Sequence, residues 1–317
     1  MSPKDQALLQ HVLTGTSVID WSKLYFETPE EVQKFLRLNE FDLSQQRDND
    51  RLMIIHTEAI GYLQKYLHQH LSPKLMAPNA VQDLFLIAAN STDKALQKQA
   101  CGLLKTMNII HHIDGRELLY NCPISHRDLY NLLEDKVERA LSLISRNEPL
   151  LLTYRGGRKP KESLITKLLS KKETIAARIN DRVRYQLVTR TREDILKVIL
   201  RLFETILPFN YVIPSGSVNQ LISLDGSDSK EYLGGRYSGK NYQRLKFVVD
   251  IPIRMDSFLA HSGGPVYRES LGTITFVMVE FQVVDASTDV LNNEGDSGHE
   301  NYKNRQKAGV IDRLMGS

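Results

Sequence analysis

The period of the hydrophobic pattern changes once along the chain, near residue 148, and that change limits the folds open to it. Up to about residue 148 the segments AVQDLFLIAANS, KALQKQACGLLKTMNII and HRDLYNLLEDKVERALSLI place apolar residues three and four apart, with few β-branched runs. Proline and glycine fall between these segments, and the Ser125-x-x-Asp128 pair ahead of an apolar run marks a helix start. Beyond TYRGGRKP, which reads as a break, the texture alternates. A helix over KESLITKLLSKKETIAARI leads to a strand, VRYQLVT; a helix over REDILKVILRLFETIL leads to strands near NYVIP, RLKFVVDIPI and TITFVMVEFQVVD. The expected architecture is an all-α N-terminal domain over 1–148, followed over 149–317 by an α/β (α+β) domain with a mixed sheet flanked by helices. A chain of 317 residues accommodates both.

No apolar run approaches the roughly 18 residues that span a bilayer, and the first ten residues lack the apolar stretch of a signal peptide. Cys101 and Cys122 are the two cysteines, in no metal-like spacing, which fits two buried thiols in a reducing, cytoplasmic setting. The net charge of +3 is unevenly spread. Between Leu151 and Glu204 stand 14 basic residues against 6 acidic ones, an excess that attracts polyanions such as nucleoside triphosphates or nucleic acid, unless it is simply a solvated helix face.

Several positions carry chemistry. Lys159, Ser163 and Lys167 recur every four residues on one face of a helix start, where two ammonium groups and a hydroxyl make a triphosphate clamp. In TITFVMVEFQVVD, alternation puts Ile274, Phe276, Met278, Glu280 and Gln282 on one face. An acid in such a run costs free energy unless a metal or partner compensates it, so Glu280 is a candidate metal ligand or general base, or else a salt-bridged edge carboxylate. Asp181, opening the earlier strand, could share Mg²⁺ with it, and Asp250 in KFVVDIPI is a third strand acid of the same kind. The Gly/Ser-rich stretch from Ser215 to Lys240 reads as a functional loop, and Tyr242 at its exit as a base-stacking platform or a loop anchor. His299, Tyr302 and Lys303 form H-x-x-Y-K.

In this order the pieces resemble the synthetase domain of the RelA/SpoT family, which makes the alarmones ppGpp and pppGpp. The family's K-x-x-x-S-[IL]-x-x-K helix is matched by Lys159, Ser163, Leu164 and Lys167, and its strand-opening acid by Asp181. Its G-Y-Q-S-L-H stretch is similar to Asn241–Lys246, its E-[IV]-Q-[IV] strand to Glu280–Val283, and its G-x-x-A-H-W-x-Y-K motif to Gly295–Lys303. The resemblance covers about residues 150–305 and implies a nucleotidyltransferase-like fold. It also implies that Lys159, Ser163 and Lys167, with Arg158 beside them, hold ATP, and that Asp181 and Glu280 bind Mg²⁺ and carry catalysis. Tyr242, Gln282, His299 and Lys303 would line the acceptor site. The implied reaction is pyrophosphate transfer from ATP to the 3′-hydroxyl of GDP or GTP. The chain departs from the family at Gln186, where an arginine is usual, at Lys246 in place of histidine, and at Glu300 in place of tryptophan. These changes bear on the acceptor, and an adenosine nucleotide or a tRNA 3′ end are alternatives; binding of nucleotides without turnover is another. The HHID at His111–Asp114 lacks the adjacent His-Asp pair of the family's hydrolase domain and reads as histidines at a helix end. No membrane partner is expected, and homo-oligomerisation is left open.

Overall fold

The computed structural model describes residues 5–6, 8–10, 26–122, 124–147, 149–170, 182–222, 242–259, 271–294 and 299–315. The helical half comprises α1 (Pro29–Leu38), α2 (Gln46–Leu67), the short α3 (Pro73–Met76), α4 (Val81–Asn90), α5 (Lys94–Asn121) and α6 (His126–Asn147). Local signals set their starts. Thr28 accepts from the Glu31 N–H ahead of a proline at the first turn of α1, Asp93 accepts from Ala95 and Leu96 at α5, and Ser125 accepts from Asp128 at α6.

Then follow β1 (Leu151–Arg158), α7 (Lys161–Ser170), β2 (Val183–Thr189), α8 (Arg192–Thr205), a 3₁₀ turn (Phe209–Tyr211) and β3 (Val212–Asn219). The chain closes with β4 (Leu245–Arg254), α9 (Asp256–Leu259), β5 (Ile274–Asp285), α10 (Ala286–Asn293) and α11 (His299–Met315). The described strands form one mixed sheet in the order β1-β2-β5-β4-β3. β5 runs parallel to β2 and antiparallel to β4, so the longest and most apolar strand lies at the centre.

The break read at TYRGGRKP is instead the first strand, antiparallel to β2. Its glycines read as a turn, but Gly156 is there for close packing: a Cβ would come within 2.2 Å of the Arg184 carbonyl and 2.7 Å of Tyr185 Cα. Of the helix expected over residues 161–179, Lys161–Ser170 is described and the remainder lies outside the described residues. Of the loop expected over 215–240, residues 215–219 belong to β3, while 223–241 lie outside them.

Alternation gives the sheet two unlike faces. One carries Tyr185, Phe247 and Phe281, stacked with centroids 6.1 and 5.4 Å apart and covered by Phe203 of α8. On that side Tyr154 and Arg158 of β1 meet Ser142 and Glu134 of α6. The other face is divided along its length. Its lower half, Ile274 and Phe276 of β5 with Asp250 of β4, is covered by α5. Its upper half, beyond the paired Met278 and Asp250, carries Glu280 and Gln282.

The helix α5 sits tightly against this lower half because Gly115 lacks a side chain; a Cβ there would lie 2.4 Å from Phe276 Cε2 and 2.7 Å from the Ile274 carbonyl. Thr275 donates to the Gly115 carbonyl at 2.8 Å. His111 and His112 are therefore in the body of a 28-residue helix, pressed on the sheet, rather than at a helix end. His111 packs on Phe41 and Phe276, and His112 stacks on Tyr211 and donates from Nε2 to Asp250 Oδ2 at 2.8 Å. A further clasp joins the layers where Arg254 at the end of β4 bonds both Asp48 oxygens and Asp256. One hydrophobic core runs without interruption from α1 to β5.

Candidate active site

Glu280 is buried in the middle of β5, on the upper half of the divided face. Register sets its surroundings: Arg184 of β2 is directly opposite it, and Gln282, two residues on, lies between Gln186 of β2 and Lys246 of β4. Lys246 Nζ is 3.9 Å from one Glu280 oxygen, and Gln282 Nε2 donates to the other at 2.6 Å. A carboxylate withdrawn from water needs such compensation, and here a cation and an amide supply it.

Tyr242 enters from the segment preceding β4. That segment is pinned to α10 by reciprocal bonds between Gln243 and Asn292, 3.0 Å to the side chain and 2.6 Å from it. The Tyr242 hydroxyl reaches Gln282 Oε1 at 3.5 Å, the outer limit of a hydrogen bond, and the Arg244 guanidinium lies 5.2 Å from the ring centre. Tyr242, Gln282, Glu280 and Lys246 therefore form one connected polar group on the upper half of this face.

A second polar group borders it. Gln186, two strands from Lys246, donates to Asp289 Oδ1 of α10 at 2.9 Å and accepts from Arg155 Nε of β1 at 3.2 Å. Arg155 Nη2 in turn donates to the same Asp289 oxygen at 2.6 Å. The helix bearing Asp289 is held by Asp285 at its N-cap. Burial opposes the charge of Asp285, but bonds from Ser287 and from the backbone and hydroxyl of Thr288, together with Arg192, bring its carboxyl down to about 2.

The remaining positions fall as follows. Lys159 is not on the helix face expected to carry all three clamp residues: it continues β1, its N–H bonded to the Arg182 carbonyl at 2.8 Å, because Pro160 separates it from α7, where Ser163 bonds to the Pro160 carbonyl. Lys159, Ser163 and Lys167 are half-buried, and Lys159, at the sheet edge, is roughly 12 Å from Glu280 by strand spacing and rise. Arg158 turns to the opposite face, where Glu134 and Asn131 hold it. Asp250 belongs to the covered half, against His112 and, at 3.7 Å, Arg116. His299 opens α11, and Lys303 is exposed one turn later. That helix packs on α7 through Gln306 to Ser170 and Arg313 to the Leu169 carbonyl. Asp181 lies outside the described residues. Among the described residues no group of three or more His, Cys, Asp or Glu could hold a metal ion, and no helix is long and apolar enough to cross a membrane.

The chain resembles alarmone synthetases. It is similar to the small alarmone synthetase 1 from Bacillus subtilis bound to its product pppGpp, with 15% identity, a TM-score of 0.35, and 60% of this chain and 88% of that one covered. The small alarmone synthetase 2 from the same organism gives 16%, 0.34, 59% and 90%, and a GTP pyrophosphokinase family protein from Streptococcus pneumoniae 13%, 0.33, 60% and 84%. No family model and no curated protein matches the sequence.

Three contacts were not visible in the sequence: Lys246 with Glu280, Arg155 and Gln186 with Asp289, and His112 with Asp250. Alternation in RLKFVVD does put Lys246, Val248 and Asp250 on one face, but choosing their partners requires the register of β4 on β5.

Proposed function

We propose that the chain is an ATP-dependent pyrophosphokinase that transfers pyrophosphate to the 3′-hydroxyl of a guanine nucleotide. The observation that carries this reading is Glu280, a carboxylate buried in the middle of β5, joined to Lys246 and Gln282 and through Gln282 to Tyr242. In the reaction the acceptor 3′-oxygen bonds to the ATP β-phosphorus, the bridge from the α-phosphate breaks, and AMP leaves. Glu280 takes the hydroxyl proton, and Lys246 offsets charge next to it. Tyr242 offers a ring on which the acceptor base stacks, oriented by its contact with Gln282. Lys159, Ser163 and Lys167 at the sheet edge receive the donor phosphates. Mg²⁺ suits the hard oxygen donor of Glu280; Glu280 with Asp181 would hold it, and it would there supply positive charge against the phosphates.

A specific observation favours a second reading, in which nucleotides bind without turnover. Both Glu280 oxygens already have partners, and Gln186 stands where the resembled family has arginine and is itself bonded to Asp289. The test is incubation with labelled ATP, Mg²⁺ and, in turn, GDP, GTP, ATP and tRNA. AMP release with label on a guanine nucleotide supports pyrophosphate transfer, and Glu280→Gln abolishes it. Label on tRNA or on an adenosine nucleotide moves the acceptor assignment. Tight nucleotide binding with no AMP from any acceptor selects the second reading.

A further inference from the structure

Two donors from neighbouring strands converge on one anionic oxygen on the upper half of the divided face. Arg155 Nη2 and Gln186 Nε2 lie 2.6 and 2.9 Å from Asp289 Oδ1, and Arg155 Nε donates to Gln186 Oε1, which turns the amide so that its NH₂ points at the same spot. An arginine and an oriented amide aimed at a single negative oxygen are the elements of a phosphate subsite. We propose that Arg155 and Gln186 form such a subsite for the polyphosphate of a bound nucleotide, and that the Asp289 carboxylate fills it until the nucleotide arrives.

Three features support the exchange. Arg155 and Gln186 are on the same sheet face as Glu280 and Gln282, and register puts Arg155 beside Gln186, which is beside Gln282, so the subsite adjoins the proposed reaction centre. The Arg155 side chain is half exposed, at 51%, so its pair with Asp289 competes with water and contributes little; a phosphate, with more charge and more acceptor oxygens, outbids it. Asp289 is on α10, whose N-terminus is fixed by Asp285, so the carboxylate can release its donors by a side-chain rotation with the helix in place. The subsite also accounts for Gln186: with the cation delivered from β1, the amide on β2 serves as an orienting acceptor and second donor.

This inference rests on the nucleotide-binding reading above. Its test is calorimetric titration of the full chain with ATP and Mg²⁺, as wild type, Asp289→Asn, Arg155→Gln, Arg155→Lys and the Asp289→Asn/Arg155→Gln double variant, with thermal melts to check folding. Asp289→Asn should tighten ATP binding about two- to fivefold by removing the internal competitor. Arg155→Gln should weaken it roughly tenfold or more, and Arg155→Lys, which keeps the charge and loses the fork, should weaken it as well. In the Arg155→Gln background, Asp289→Asn should have almost no effect. A gain from Asp289→Asn that persists without Arg155 would reflect net charge alone and would overturn the subsite. So would unchanged affinity in Arg155→Gln, in either case leaving pyrophosphate transfer untouched. Absence of ATP binding by the folded wild type overturns both.

Discussion

Lowering the pH from 7 to 5 should loosen the docking of α5 on the sheet, because His111 is enclosed there without a hydrogen-bond partner at either ring nitrogen. Burial, then the nearby Arg51 and His112, hold its ring neutral and bring its pKa from 6.5 down to about 3. The unfolded chain takes up the proton first, so stability falls as the pH drops through 6.5 and continues falling until about 3. Between pH 7 and pH 5 the difference in proton binding amounts to roughly 2 kcal/mol. For a chain of ordinary stability that is a substantial fraction of the total. The assay is urea unfolding at pH 7, 6 and 5 on the wild type and on His111→Leu, which keeps the bulk and removes the titrating group. The wild type should lose about 2 kcal/mol more than the variant over this range. Equal losses in the two proteins would refute the reasoning, since some other group would then carry the pH dependence.

Other expectations concern neighbouring contacts. Gly115→Ala should destabilise by about 1–3 kcal/mol, measured by thermal melting, because its methyl group would collide with Phe276 and the Ile274 backbone. Asp285→Ala should cost about 1 kcal/mol at pH 7 by uncapping α10. The contribution of Asp285 is complete above pH 3.8 and vanishes as the pH falls through about 2, so wild type and variant should melt alike in strong acid. Glu280→Gln should retain ATP binding in calorimetry while abolishing AMP release, which separates its role from that of Arg155.

Much of the sheet could be read from the chain alone. Strands β2, β4 and β5 and helix α8 have clean periodicity, and β5 is unmistakable because apolar residues continue on both of its faces. Strand β1 is the exception: Gly156 and Gly157 signal a turn in sequence, whereas in the fold Gly156 lies in a strand pressed closely on β2. Glu280 stood out because an acid interrupts an apolar run, a one-dimensional signal. Lys246, Arg155 and Asp289 gave none, since each acts through a partner 34 to 134 residues away, and only strand register makes them neighbours. His111 and Gly115 occupy two of the buried steps on α5, with Leu104, Met107 and Leu118, so their inward orientation could have been read from helical spacing. Their target, Phe276, could not.

The divided face of β5 has a practical meaning. One strand supplies both the seat of the helical layer, at Ile274 and Phe276, and the carboxylate of the candidate reaction centre, at Glu280. A fragment starting at residue 149 would keep every residue of that centre yet bare Phe276 and strand Asp250 without His112 and Arg116. Such a fragment should self-associate through the uncovered aromatic strip, and supplying residues 1–148 in trans should suppress it.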